Sequence, residues 1–143
     1  MRQKLIRFSK ITLILVLLGF FMPVSCDING KEIIQNSYDL ASSMRDYFIA
    51  FCCVAVFLFP LLSLFISIIT LLFRKDDSLF FSWFCLLLSI AGGVKGYYEI
   101  IEGWKSDFQS GAYCIIIGWC LSLLLLFVAS SVPDEDTENL GDL

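Results

Sequence analysis

Histidine is absent from all 143 residues. That removes His-ligated zinc and haem, Ser-His-Asp and Cys-His catalysis and the common proton shuttles together, because each needs an imidazole to bind metal or exchange a proton near neutral pH. Charge is scarce too, at 17% of residues against 58% hydrophobic and 15% aromatic. No P-loop or GxGxxG stretch occurs, and no paired carboxylates interrupt an apolar run, so nucleotide chemistry and charge-coupled transport lack their usual groups. No internal repeat marks the two halves of a transporter. We therefore expect no catalytic residue, no metal ligand and no cofactor.

What remains is dominated by apolar segments. Residues 47–73 are 27 consecutive uncharged positions, and at about 1.5 Å per residue such a helix exceeds the roughly 30 Å hydrocarbon core of a bilayer. Mean hydropathy over the chain is +0.81. The pattern predicts a single transmembrane domain over 1–143, all-α, folded as an integral membrane four-helix bundle. Its spans fall at about 5–24, 47–73, 79–96 and 111–132. Outer loops at 25–46 and 97–110, a cytoplasmic loop at 74–78 and an acidic cytoplasmic tail at 133–143 complete it. The lipid bilayer is the first expected partner.

The net charge of −4 is distributed unevenly. Arg2, Lys4, Arg7 and Lys10 fill the first ten residues without an acid, whereas Asp134, Glu135, Asp136, Glu138 and Asp142 fill the last ten without a base. The basic block and Arg74-Lys75 are expected on the cytoplasmic side, giving both ends inside. No basic stripe exists elsewhere to neutralise phosphates, so nucleic acid is not an expected partner. Arg7 and Lys10 are expected to snorkel toward the headgroups. An alternative start is a cleaved lipoprotein-type signal with Ser25-Cys26 as the modification site, which leaves three spans. Pro23, standing where an aliphatic residue is usual, favours the uncleaved span.

In the segment before the second span, Asn29-Gly30 reads as a turn. An acid, an Asn and a Gly there resemble part of a calcium loop, but Asn36 stands where a bidentate Glu is required. Ser43 and Asp46 are placed to cap the following helix. Pro60 should bend that helix, and Ser63, Ser67 and Thr70 share one of its faces. They are expected to pack against neighbours or re-satisfy freed carbonyls, with no charge accompanying them. On the third span Ser89, Gly92, Gly93 and Gly96 lie along one side, and Gly92 with Gly96 makes a small-xxx-small pair. The fourth span carries Cys114, Gly118 and Ser122 at every fourth position, as if answering it.

Six cysteines stand at 26, 52, 53, 85, 114 and 120. Cys26 and Cys114 both fall near outer helix ends, so a disulfide between them is an expectation for an oxidising compartment. A quinone-linked thiol oxidoreductase would need a CxxC-type pair, which the adjacent Cys52-Cys53 and the wider Cys114 to Cys120 spacing do not supply.

The first span ending Gly19-Phe-Phe-Met-Pro-Val-Ser-Cys26, the Asn29-Gly30 pair, Tyr38-Asp-Leu-Ala41 and the last span opening Gly111-Ala-Tyr-Cys114 resemble uncharacterised small bacterial four-span integral membrane proteins. The resemblance implies that architecture, a bacterial inner membrane and no known activity. The function expected is that of an accessory or interaction protein, working as a homo-oligomer or with a membrane protein partner. A small transporter or channel subunit is the first alternative and the thiol enzyme the second.

Overall fold

The computed structural model describes residues 1–25, 28–39, 41–73, 75–100 and 109–132. Five helices occur among them: α1 (Arg2–Phe21), α2 (Gly30–Asp39), α3 (Met44–Leu72), α4 (Leu79–Ile100) and α5 (Ser110–Ser131). Between α1 and α2, β1 (Pro23–Ser25) pairs antiparallel with β2 (Ile28–Asn29). Three helices, α3, α4 up to Gly96 and α5, are long and apolar enough to cross a membrane. Among the described residues the chain is therefore all-helical apart from one small hairpin, and of the membrane class. At 20 residues α1 is about 30 Å long, but Arg2, Lys4, Arg7 and Lys10 interrupt its apolar character.

The four long helices pack as two close antiparallel pairs, α1 with α5 (Gly19 beside Gly111, Val16 beside Gly118) and α3 with α4 (Cys52 beside Gly92, Val56 beside Ser89), and the pairs meet through α1 on α3 and α4 on α5. The small-residue faces therefore do not answer one another. On α4, a Cβ added at Gly92 would lie 2.6 Å from the Cys52 carbonyl, and one at Gly96 would lie 2.7 Å from Cys53 Sγ, so this face receives α3. On α5, a Cβ at Gly118 would lie 2.7 Å from Val16, so this face receives α1. Small side chains let backbones approach, and the van der Waals attraction between them holds helices together where water supplies no drive. Gly93 lies under the Trp119 ring of α5 and beside Val56 of α3. The Trp119 contact joins α4 to α5.

The segment before α3 is more ordered than its polar composition suggests. Asn29-Gly30 opens α2 rather than turning a hairpin: Asn29 Oδ1 accepts from Glu32 N–H at 3.0 Å and Glu32 Oε2 accepts from Asn29 N–H at 3.2 Å, a reciprocal cap. Ile33 is buried, and α2 rests on α3. Gly30 is required here, since a Cβ would meet the Phe20 ring at 2.6 Å. Strand β1 is tied to α5 by Gln109 N–H donating to the Val24 carbonyl at 3.1 Å. Ser43 and Asp46 form the capping box of α3.

Pro60 lies buried inside α3, and the helix continues on both sides of it. Proline has no N–H to give the carbonyl four residues earlier, that of Val56. The partner of that carbonyl is not one of the hydroxyls following Pro60. Ser89 on α4 donates to it at 3.3 Å, and Trp119 Nε1 on α5 donates to Ser89 Oγ at 3.1 Å. A backbone defect in one helix is thus satisfied by a chain of hydrogen bonds through two others.

Candidate functional site

The charged residues of α1 build the most unusual feature of the molecule. Gln3, Arg7 and Lys10 are spaced i, i+4 and i+7, so they form one stripe along the helix. All three converge on Asp77, just before Ser78, whose hydroxyl and carbonyl accept from Phe81 and Ser82 at the start of α4. The Lys10 ammonium is 3.2 Å from Asp77 Oδ1, with the two side chains 2% and 0% exposed. Arg7 Nε stands 3.7 Å from Oδ2. Gln3 holds the backbone of the same residue, accepting from Asp77 N–H at 3.0 Å and donating to its carbonyl at 3.4 Å.

From α3, Ser67 Oγ donates to Asp77 Oδ2 at 3.0 Å, and the Thr70 hydroxyl lies against Oδ1. The Thr70 hydroxyl also reaches the Ser67 carbonyl at 2.9 Å. A carboxylate withdrawn from water costs several kcal/mol unless paired and hydrogen-bonded. Asp77 has both kinds of partner.

Two expectations are corrected here. Lys10 does not reach for headgroups; its Nζ is directed into the protein onto Asp77. Ser67 and Thr70 are accompanied by a charge after all, brought by the short α3–α4 connection. The signal that could have found the site was the Gln3, Arg7, Lys10 stripe itself, three polar side chains spaced to share one face of α1.

The remaining buried polar groups serve helix contacts. Ser122 Oγ lies 2.7 Å from Thr12 Oγ1 and donates to the Ser9 carbonyl at 2.9 Å, stitching α5 to α1 beside Gly118. Ser9 Oγ donates to the Ile6 carbonyl at 2.7 Å. Ser63 is different: its Oγ is buried with no hydrogen-bond partner, one turn before Ser67 on the same face.

The predicted packing residues thus fall into three places. Ser89, Gly92 and Gly96 lie at the α3–α4 seam, Gly93 under Trp119, and Gly118 with Ser122 at the α1–α5 seam. The thiols are dispersed: Cys52, Cys53 and Cys85 are buried, Cys114 is half-buried near Gly19 and Cys120 is exposed. No group of three or more Cys, Asp or Glu residues suited to a metal ion assembles among the described residues. Cys26, the partner expected for Cys114, lies outside the described residues, as do most of the second outer loop and the acidic tail.

The chain matches no family model, no curated protein and no solved structure. The functional reading rests on the molecule's own geometry.

Proposed function

We propose that the chain is a multi-pass protein of a bacterial inner membrane that crosses four times, with both ends in the cytoplasm, and acts as an accessory or interaction protein rather than an enzyme. The observation that carries this is the Lys10–Asp77 pair. It neutralises the deepest charge of α1, so the apolar remainder from Ile11 to Phe21 sits with α3, α4 and α5 in hydrocarbon. It also ties the basic amino-terminal block to the connection bearing Lys75, which supports a common cytoplasmic face for both under the positive-inside rule.

The accessory role is supported by how the buried polar groups are used. Lys10, Asp77, Ser89, Ser122 and Trp119 are committed to contacts between helices of the same chain. Tags at the two termini, probed in sealed spheroplasts, should both be protected from external protease while the membrane fraction retains the protein. Exposure of one tag alone would contradict the topology. Purified protein in proteoliposomes should pass no ion current or proton flux and should co-purify from mild detergent with a membrane partner at fixed stoichiometry.

A small transporter or channel subunit is the second reading, favoured by one observation. The partnerless Ser63 hydroxyl, Ser67, Thr70 and the Lys10–Asp77 pair form a polar line climbing from one end of α3 toward its middle. Flux in the proteoliposomes that Asp77→Asn abolishes would establish this reading and overturn the first.

A further inference from the structure

We infer that the acidic segment 133–143 docks on the basic end of its own helix bundle and covers Lys4 and Lys75, so that the chain supplies the counter-charge for that surface. The placement follows from helix packing alone and goes beyond the membrane reading above.

The basic surface is assembled by Gln3. It holds the backbone of Asp77 by hydrogen bonds of 3.0 and 3.4 Å, which sets the connection carrying Lys75 beside the first turn of α1. Lys4 follows Gln3, and both lysines are exposed. Neither ammonium has a partner among the described residues. Asp77 is not available to them, because it is buried with Lys10 at 3.2 Å, Arg7 at 3.7 Å and the Ser67 hydroxyl at 3.0 Å. At that end Lys4, Arg7, Lys10 and Lys75 outnumber Asp76 and Asp77, and like charges held together repel unless an anion meets them.

The acidic segment starts at the same place. α5 runs antiparallel to α1, with Ser122 against Ser9 and Thr12. Ser130, as far beyond Ser122 as Lys4 is before Thr12, therefore stands level with Lys4. Trp83 Nε1 donates to Ser130 Oγ at 3.1 Å, which sets the last turn of α5 beside the start of α4, where the Lys75 connection enters. Val132 caps α5 there.

Beyond it the sequence carries Asp134, Glu135, Asp136, Glu138 and Asp142 without a base. Extended chain from Val132 to Glu138 reaches about 20 Å, roughly twice the 8–10 Å between neighbouring helix axes. The first four acids thus reach either lysine with no helix displaced. Tethering selects this occupant over a separate anion, since a segment joined by a short link acts at an effective concentration on the order of millimolar. Each exposed pair is weak and screened by salt, so the cover is one that a competing anionic surface can lift.

The test is carbodiimide cross-linking of the full chain in detergent, using an equal mixture of unlabelled and nitrogen-15-labelled protein, with the joined peptides read by mass spectrometry. Lys4 or Lys75 should be joined to an acid of residues 134–142, both halves carrying the same isotope. The yield should fall several-fold from about 0.1 M to about 1 M salt, over which the screening length drops from about 10 Å to about 3 Å. A second readout is cleavage after Glu135 and Glu138 by a glutamate-specific protease at low salt. Lys4→Gln with Lys75→Gln should speed it about fivefold, and Lys4→Arg with Lys75→Arg should keep the wild-type rate. Absence of same-isotope links, or equal cleavage of wild type and the glutamine variant, would overturn the docking. Mixed-isotope links alone would give the lysines to a second copy, and loss of the links in phosphatidylglycerol but not phosphatidylcholine nanodiscs would give them to lipid; either result overturns the segment as occupant.

Discussion

Two buried polar sites, both built on α3, join it to its neighbours by opposite means. At the Lys10–Asp77 site, full charges from α1 and the α3–α4 connection meet in an enclosure with 2% and 0% side-chain exposure. At the Val56–Ser89–Trp119 site, neutral groups satisfy a carbonyl that Pro60 has left without a donor. The neutral chain corrects a backbone defect and would be dispensable without the proline. The charged site corrects nothing. Each of its members makes the other's burial tolerable, and the result is a fixed assignment of α1 to one place on α3 and α4. Such a pair is weak evidence for raw stability, since a well-packed apolar pair in its place is often as stable, whereas removing one partner alone is strongly destabilising.

Breaking the charged site should have the largest effect. Asp77→Asn leaves Lys10 buried and unpaired, and a loss of about 3–5 kcal/mol is expected for one orphaned member of such a pair. The readout is thermal unfolding in detergent, together with loss of protection of α1 from protease.

Next in size is the glycine approach that both seams share. Gly118→Leu would drive a side chain into Val16, whose backbone nitrogen is only 3.1 Å from the added Cβ position. Overpacking costs typically about 1–3 kcal/mol, and cross-linking between α1 and α5 should fall as the seam opens.

The neutral site should yield less. Ser89→Ala removes two hydrogen bonds at once, yet single polar contacts between membrane helices are worth about 0.6 kcal/mol on average and about 1.7 at most. A loss near the upper value is expected, and circular dichroism against temperature in detergent would measure it. If Ser89→Ala cost as much as Asp77→Asn, the distinction between the two sites would fail.

Ser63→Ala sharpens the comparison from the other side. Removing a buried hydroxyl that has no partner should cost nothing and can add up to about 1 kcal/mol, since a desolvated group is no longer left unsatisfied. A clear destabilisation would mean that Ser63 has a hidden partner on the polar line toward Asp77.

The membrane class was legible because hydrophobic runs of this length have no other stable home, and the spans at 79–96 and 111–132 overlie α4 and α5 for that reason. The α3 cap was legible in Ser43 and Asp46 because a capping box is a local pattern. The same pattern stands in Asn29 and Glu32, where the turn propensity of Asn-Gly masks it and a short amphipathic helix resembles loop.

Asp77 was illegible for a different reason. It follows Arg74, Lys75 and Asp76 in a run that looks solvated, and its partner Lys10 is distant in the chain. Only the packing of α1 across the α3–α4 connection brings them together. The glycine faces were visible, but which helix each would receive was not, because small residues advertise a close approach without naming the partner. Specificity came from larger residues on the other side, Val16 for Gly118 and Trp119 for Gly93.

A double-mutant cycle at Lys10 and Asp77 tests the central claim most directly. Lys10→Met, Asp77→Leu and the double variant would be unfolded in the same detergent and their stabilities compared with wild type. Each single change should be strongly destabilising and the double change much less so than their sum, with a coupling of about 2 kcal/mol or more for a buried, interacting pair. Strictly additive losses, or two harmless single variants, would contradict it.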